Sequence, residues 1–292
     1  MTAVILASWP NGAAFWNRAG HFMDVILHLG SHRTDSTTFQ SYMRRSHSEL
    51  SNRQIGYWGP PRTRQGLFAG VLPSSSMRHV PKMQARAVGC VQMQMGSAAQ
   101  SGIRKLLISD EKMIGSVRHN LCKRALFSTI GQRMAQYVQA FEGHLKRVVL
   151  NVWAHDLYWA SSIAYGIGRG HWLLPAKALD EVARASRTWR DVITDLACAL
   201  PDTEIRVAPF ERYQERPDQM LKGCIDEVGP SNKGEEWLNR APTLTALRAM
   251  LSERGDTAGL CALGSQKNTR RWIPFDQTQS AQLREACADD MH

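Results

Sequence analysis

Four short apolar runs divide the 292-residue chain, and each is long enough to form one β-strand. Their apolar residues are consecutive rather than alternating with polar ones. Such runs are typical of strands that are buried on both faces of a parallel sheet. The pattern therefore predicts a sheet that helices cover on both sides, with strands at Val25–Leu29, Leu106–Ser109, Val148–Val152 and Ile205–Phe210.

Helical periodicity lies between and after these runs. Apolar residues spaced three and four apart predict amphipathic helices around Phe39–Met43, Phe127–Phe141 and Trp189–Leu196. Because strands alternate with helices, we predict an α/β domain with three layers, α/β/α, around a central, mainly parallel sheet. Ligands of such sheets bind at the carboxyl ends of the strands.

Two segments do not follow this alternation. Residues 1–22 precede a second methionine, Met23, which stands two residues before the first strand. We interpret them as an N-terminal extension that need not be native, or else as a short element packed on the domain. Residues 23–292 form the predicted α/β domain. Within it, residues 56–102 lack a clear period, and we predict an irregular insertion or lid with some helix.

Composition narrows the possible partners. The net charge of +10 and the isoelectric point of about 9.6 suit anionic ligands. There is no long basic block and no zinc-like spacing, so we do not expect a nucleic-acid partner. No apolar run approaches the roughly 20 residues of a membrane span. Six scattered cysteines without a CxxC pair predict reduced thiols and a cytoplasmic protein.

The stretch HLGSHRTDSTTFQ, from His28 to Gln40, is the main candidate for a binding site. It leaves the first strand, passes one glycine and a group of hydroxyl residues, and enters a predicted helix. Helix N-termini expose unpaired N–H groups and a partial positive charge, so a strand–loop–helix turn forms an anion cradle. The Walker A pattern GxxxxGK[ST] is absent, which does not support an ordinary P-loop NTPase.

This loop resembles the phosphate loop of bacterial sulfotransferases, whose pattern is H-x-G-x-H-K-T-G-T-T-S-x-Q. The chain departs from that pattern at four positions. Arg33 replaces the lysine and Asp35 the glycine. Ser36 replaces a threonine and Thr38 the serine. The matching positions are His28, Gly30, His32, Thr34, Thr37 and Gln40. The resemblance covers most of residues 23–292 and implies a P-loop-like sulfotransferase fold.

The resemblance also implies a cosubstrate, 3′-phosphoadenosine 5′-phosphosulfate (PAPS), and no metal. Ser161 fits the serine that holds the 3′-phosphate, but the arginine of that site falls on Trp153, which cannot grip a phosphate bidentately. Other cations could compensate for the missing arginine at the 3′-phosphate; the candidates are Arg147, Arg169, Lys267, Arg270 and Arg271. The loop residues that would bind the 5′-phosphosulfate are Gly30, Arg33, Thr34, Asp35, Ser36, Thr37 and Thr38.

Sulfuryl transfer needs charge stabilisation at the leaving oxygen and a base for the acceptor. The resemblance assigns the first role to Arg33. Glu111, which follows the second predicted strand, is the candidate base, and the alternative is that it or Asp110 caps a helix. His28 and His32 are alternative bases, although His28 fits a structural role in the strand.

The sequence leaves two alternatives to a sulfotransferase, and it also leaves the acceptor of a sulfotransferase undetermined. Asp35 and Trp153 fall on the two phosphate sites, so the chain is alternatively an inactive relative that binds a nucleotide or a partner. A kinase-like enzyme would need Mg²⁺, which Asp110 or Asp35 could hold. The acceptor of a sulfotransferase would be a carbohydrate, a lipid or a small molecule. Aromatic residues would form its platform or, alternatively, pack in the core; they are Tyr57, Trp58, Trp153, Tyr158, Trp159 and Trp172.

Overall fold

The computed structural model describes residues 23–73, 79–232, 238–263 and 272–290. The predicted N-terminal extension lies outside these residues. So do Lys267, Arg270 and Arg271, which were considered as partners for a phosphate. No helix in the described ranges combines the length and the apolar character needed to cross a bilayer. All six cysteines are free thiols.

Five strands form the sheet in the described part of the chain. They lie in the order β2-β3-β1-β4-β5, and every neighbouring pair is parallel. The four predicted strands all lie in this sheet, so the predicted α/β fold with a parallel sheet is confirmed. The strands are β1 Asp24–His28, β2 Ile55–Trp58, β3 Lys105–Ser109, β4 Leu145–Val152 and β5 Glu204–Pro209.

Helices cover both faces of the sheet. A π-helical turn at Thr63–Leu67 and a 3-10 turn at Glu111–Met113 add to them. The α-helices are α1 Ser36–Arg45, α2 His47–Asn52, α3 Pro60–Arg62, α4 Val80–Gln100, α5 Val117–Lys123, α6 Ile130–Ala140, α7 His155–Gly168, α8 Ala176–Ala183, α9 Trp189–Ala199, α10 Phe210–Tyr213, α11 Pro217–Ile225, α12 Leu244–Glu253, α13 Thr257–Leu263 and α14 Gln277–Asp289.

The alternation of side chains along β1 separates the two cores. Val25 and Leu27 belong to the larger core, to which α4, α6, α7 and α9 contribute, whereas Ile26 belongs to the smaller core under α1, α2 and α11. Successive residues of a strand point to opposite faces, so one apolar run serves both layers. Each fully buried aliphatic side chain contributes about 1.5–3 kcal/mol, which explains why this run contains no exposed residue.

The segment predicted as an irregular insertion contains regular structure. Strand β2 lies at the edge of the sheet, beside β3. It has only four residues and includes Gly56, where a Cβ would lie 2.9 Å from Ile103. Helix α4 buries Ala87, Val91 and Met95, spaced by four, but small and polar residues between them weaken the periodicity. The short length of β2 and the small and polar residues of α4 explain why neither element has a strong sequence pattern.

Strand β1 lies between β3 and β4 and ends at the point where the strand order reverses. The chain passes from β3 on one side of β1 to β4 on the other. The loop after β1 leads toward β2 on one side, and the loop after the adjacent strand β4 leads toward β5 on the other. These two loops therefore diverge and leave a crevice at the carboxyl edge of the sheet, which is where α/β proteins bind their ligands. The loop between β1 and α1 lies at that edge.

Candidate functional site

The loop between β1 and α1 is held in shape by its own hydrogen bonds. The backbone N–H of Ser31 donates to Thr34 Oγ1 over 3.1 Å, and the Thr34 hydroxyl donates to the Ser31 carbonyl over 2.7 Å. The carbonyl of Gly30 accepts from the backbone N–H of Asn151 in β4. Thr34, which the sequence placed among the ligand-binding residues, is buried and serves to fold the loop.

Helix α1 begins without a side-chain cap. Asp35 stands at the N-cap position in the left-handed region, at φ 60°, and its side chain does not cap the backbone N–H groups of the first turn. Its Oδ2 accepts from the backbone N–H of Glu215 instead. The first N–H groups of a helix have no partner within the helix, so this start keeps its capacity to bind an anion.

Three buried polar atoms in this loop have no hydrogen-bond partner among the described residues: Ser31 Oγ, Asp35 Oδ1 and Ser36 Oγ. Gly30 adopts φ +60°, and a Cβ at this position would lie 2.4 Å from Ser36 Oγ. Glycine is therefore needed both for the backbone conformation and for the approach of the Ser36 hydroxyl. Buried polar atoms without partners are rare in proteins, and here they surround a helix start.

Burial raises the pKa of the Asp35 carboxyl to about 6, and the charge of Glu215 adds to this effect. Hydrogen bonds from Thr38 and from the Glu215 backbone oppose the shift only in part. The Thr38 hydroxyl oxygen also accepts from the backbone N–H of Leu238. Asp35 is therefore partly neutral at mildly acidic pH, which reduces its repulsion of an anion.

Arg33 reaches from the loop to helix α7. Its Nε donates to Ser161 Oγ over 3.1 Å, a second nitrogen donates to the Asn239 carbonyl over 3.0 Å, and its guanidinium carbon lies 5.0 Å from the centre of the Tyr165 ring. Burial lowers the pKa of Arg33, which shows that its surroundings compensate the charge incompletely. A bound anion would supply the missing compensation.

Trp153 follows β4 and is buried at the same cleft as Ser161. Its ring packs edge-to-face on Phe210 at 4.7 Å, and its carbonyl accepts from the indole N–H of Trp189. The side chain is thus a wall of the cleft and offers no cation. Arg147 lies at the opposite end of the sheet in an ion pair with Glu204, so it does not replace the missing arginine.

Glu111 lines the cleft, but both of its carboxylate oxygens are engaged. Oε1 pairs with Arg64 at 2.8 Å, and Oε2 accepts from Gln40 over 3.0 Å. Burial by itself would raise the pKa of Glu111, but His32, Arg64 and Gln40 hold it below its usual value. A carboxylate with a lowered pKa and two occupied oxygens is a weak base in this arrangement.

Asp110, considered as a helix cap or as a magnesium ligand, is engaged in the same network. Its side chain accepts from the Lys112 backbone N–H, so it caps the 3-10 turn as the sequence allowed. It also accepts from the Thr63 hydroxyl and from Arg64. In the described ranges, no group of three His, Cys, Asp or Glu residues is arranged to hold a metal ion.

The two histidines of the loop motif differ in their surroundings. His28 is buried in β1, with Nδ1 2.8 Å from Ser109 Oγ and Nε2 2.9 Å from Asn151 Oδ1. Burial lowers its pKa to about 4, so it is neutral and has a structural role, as its place in the strand predicted. His32 lines the cleft, with Nε2 3.0 Å from the Gly115 carbonyl, and burial lowers its pKa as well.

These residues converge on one cleft of about 790 Å³. The predicted cofactor-binding and catalytic residues on its wall are Arg33, Asp35, Ser36, Thr37, Glu111 and Ser161, whereas Gly30, Thr34 and Thr38 do not line it. Residues far along the chain close the cleft, and the sequence analysis missed them because no motif marks them. They are Leu157, Tyr165, Gln214, Glu215 and residues 238–243.

The aromatic residues considered as an acceptor platform are mostly in the core. Trp58, Tyr158 and Trp159 are buried, and Trp153 is buried at the cleft wall. Trp172 differs, because 72% of its surface is exposed. His155 and Asp156, at the start of α7, contact Asp290 and Arg284 and do not line the cleft.

A solved structure resembles this chain at a low level of similarity. No protein-family model matches the chain, and no curated protein matches it. The fold is similar to the crystal structure of a sulfotransferase from Alicyclobacillus acidocaldarius, with 14% sequence identity over 83% of this chain and 96% of that chain. The TM-score is 0.40, and a likeness of this degree carries no argument about activity.

Proposed function

We propose that this chain binds 3′-phosphoadenosine 5′-phosphosulfate in the cleft and transfers its sulfuryl group to an acceptor. The observation that carries the proposal is the open start of α1, where Ser31 Oγ and Ser36 Oγ are buried without partners above Gly30. Polar atoms in this state cost about 1–3 kcal/mol each. A ligand with several acceptor oxygens at the helix start would recover that cost.

The loop would hold the phosphosulfate through the backbone N–H groups and hydroxyls of Ser36 and Thr37, which line the cleft. In this proposal Gly30 permits the close approach, and Thr34 and Thr38 fix the shape of the loop. Asp35 is tolerated because its carboxyl has a raised pKa, and because proton uptake on binding removes its charge.

Arg33 would supply the positive charge at the loop, and Arg240 also lines the cleft. Its contact with Ser161 places a guanidinium beside the serine that the sequence motif associates with the 3′-phosphate. In this proposal Arg33 takes over the role of the arginine that is absent at position 153. Because Arg33 extends from the loop that starts α1, the same guanidinium also stabilises the leaving oxygen of the phosphosulfate, as the motif implies.

In the transfer step, the bond between sulfur and the bridging oxygen breaks while the bond between sulfur and the acceptor oxygen forms. The acceptor proton goes to a base, and the nucleotide leaves with the electron pair of the broken bond. Glu111 can accept that proton only if the bound substrate frees its carboxylate from Arg64 or Gln40. Replacement of Glu111 by Gln would then abolish turnover and leave nucleotide affinity within about twofold, since Gln keeps the shape of the side chain.

A non-catalytic binding protein is the second candidate, and Asp35 favours it. A carboxylate beside a polyanionic nucleotide weakens binding wherever it is ionised. If this candidate is right, the double variant Asp35→Gly/Trp153→Arg would gain nucleotide affinity, and the natural chain would show no turnover with any acceptor.

The test is a calorimetric titration of the purified chain with 3′-phosphoadenosine 5′-phosphate, with ATP as the control and EDTA present. We expect the bisphosphate to bind at micromolar concentration and ATP to bind at least about tenfold more weakly, a difference of about 1.4 kcal/mol. No binding of the bisphosphate would reject the proposal. A parallel titration with Mg²⁺ in place of EDTA tests the kinase-like alternative, which would be favoured by tight ATP binding that requires Mg²⁺.

A further inference from the structure

A second groove of about 790 Å³ opens beside the cleft. Helices α5 and α7 and the turn after β3 form its walls. His32 and Tyr165 line both the groove and the cleft, so the two spaces meet at these side chains. A molecule in the groove would therefore reach the point where the loop motif and Arg33 come together.

The groove is lined by cations. Its basic side chains are Lys112, Arg118, Arg133 and Arg169, together with three histidines, and no aspartate or glutamate lines it among the described residues. Lys112, Arg118 and Arg169 are exposed. A groove wall with one sign of charge concentrates ligands of the opposite sign.

Contacts within the protein hold two of these cations, Arg133 and Arg169, at the groove. Arg133 donates to the carbonyls of Met113 and Lys112, so its charge is fixed without a carboxylate. Burial lowers the pKa of Arg133, as expected for an incompletely compensated charge. Arg169 stacks on the Tyr165 ring at 5.0 Å, the distance at which Arg33 stacks from the cleft side.

We propose that this groove binds the acceptor, and that the acceptor carries an acidic group, a carboxylate or a sulfate, in addition to the group that is modified. That the ligand of this groove is the acceptor rests on the proposed function. That the ligand is acidic rests on the groove alone. The volume fits one to a few rings of a small molecule or oligosaccharide. The exposed Trp172 follows His171 of the groove wall in the sequence.

The test compares three tetrasaccharides by calorimetry at about 150 mM salt, where surface attraction is screened beyond about 8 Å. A heparin-derived tetrasaccharide carries sulfates and carboxylates, tetragalacturonate carries carboxylates only, and cellotetraose is neutral. We expect at least one acidic probe to bind at least about tenfold more tightly than cellotetraose. The two acidic probes distinguish sulfate from carboxylate recognition.

The variant Lys112→Gln/Arg118→Gln removes two charges from the groove wall. A matched control, Lys146→Gln/Lys222→Gln, removes two exposed charges that do not line the groove, and Lys146 lies near the amino end of β4, away from the site. We expect the groove variant to weaken the acidic probe about tenfold. The control should change it by less than about twofold, because its only effect is on net charge.

Equal binding of neutral and acidic probes would overturn this inference, and so would equal losses in the groove variant and the control. Titration with 3′-phosphoadenosine 5′-phosphate on the same samples separates the two proposals. If the acidic probe binds through the groove but the nucleotide does not bind, the acidic-ligand site stands and the transferase assignment fails. If the nucleotide binds and no acidic probe does, the groove inference alone fails.

Discussion

Two buried polar clusters meet at the carboxyl end of β1, and they differ in whether their atoms have partners. In the first, which we call the paired cluster, His28 contacts Ser109 and Asn151 through both ring nitrogens. In the second, which we call the open loop, Ser31 Oγ, Asp35 Oδ1 and Ser36 Oγ lack partners among the described residues.

This difference in hydrogen bonding distinguishes residues that stabilise the fold from residues that are available to bind a ligand. A buried hydrogen bond contributes about 0.5–1.5 kcal/mol, whereas a buried polar atom without a partner costs about 1–3 kcal/mol. The paired cluster therefore ties three strands of the sheet together. The open loop is maintained at a cost, which is typical of sites where the missing partner is a ligand.

Removal of His28 should have the largest effect, and the effect should be on stability. His28→Leu leaves Ser109 and Asn151 buried without their partner, so we expect a loss of about 4 kcal/mol in the free energy of unfolding. Denaturant unfolding measures it. The pKa of His28 is lowered to about 4, so the native state loses stability as pH falls below 6.5, and the variant should lack that loss.

His47→Leu is the matched control, because His47 is exposed at the start of α2. It should change stability by no more than about 0.5 kcal/mol. A His28 variant as stable as the control would show that the paired cluster does not hold the strands together.

Removal of the Arg33 charge should have the next largest effect, and it should be on ligand binding. Arg33→Gln removes the guanidinium that contacts Ser161, so we expect the affinity for 3′-phosphoadenosine 5′-phosphate to fall about 100-fold, or about 3 kcal/mol. Calorimetry measures it. Stability should not fall, since the wild-type guanidinium is buried with its charge incompletely compensated.

Arg62→Gln serves as the control for lost charge. Its guanidinium stacks on Trp58 at 4.3 Å and does not line the cleft. An affinity that falls equally in both variants would mean that net charge, and not the Arg33 contact, attracts the nucleotide.

Filling the space above Gly30 should weaken binding somewhat less. Gly30→Ala adds a Cβ 2.4 Å from Ser36 Oγ at a backbone φ of +60°, which displaces the hydroxyl from the open loop. We expect about 30-fold weaker nucleotide binding, or about 2 kcal/mol. Gly143→Ala is the control, because Gly143 has φ +71° but open space around a Cβ. It should share the backbone strain and keep the affinity; unchanged affinity in Gly30→Ala would contradict the model of an open loop.

The smallest effect should come from Asp35, and it should depend on pH. The pKa of Asp35 is raised to about 6, so its folded-state stabilisation is present at low pH and is lost as pH rises through 6. Asp35→Asn should thus stabilise the fold by about 1 kcal/mol at pH 7.5 and tighten nucleotide binding about fivefold. Asp202→Asn, at an exposed position, should change neither.

The pH profile sharpens this prediction. Wild-type affinity should approach that of Asp35→Asn as pH falls from 7.5 to 5.5, because protonation removes the repulsive charge. A phosphate monoester also titrates near pH 6, so the ratio of the two affinities is the quantity to follow. A ratio that does not change with pH would show that Asp35 does not face the nucleotide.

Sequence patterns determined the layers of this protein. The continuous apolar runs at Val25–Leu29 and Val148–Val152 predicted strands buried on both faces, and the periodicity around Phe39 and Trp189 predicted the helices that cover them. These are local signals that burial of apolar surface converts into structure. The loop of hydroxyls between the first strand and helix carries its own signal in the same way, because the anion-binding groups belong to neighbouring residues.

Tertiary structure alone decided which polar residues are free to act. In the sequence, Asp110 and Glu111 are both carboxylates that follow a strand. In the structure, Arg64 donates hydrogen bonds to both, although it lies 46 residues from Asp110 and 47 from Glu111 in the chain. Arg33 reads as a loop residue, and only the packing of α7 brings Ser161 to it. Strand β2 was missed because its four residues gain their stability from pairing with β3. Partners that are distant in the chain set hydrogen bonds, charge and burial, and no local pattern records them.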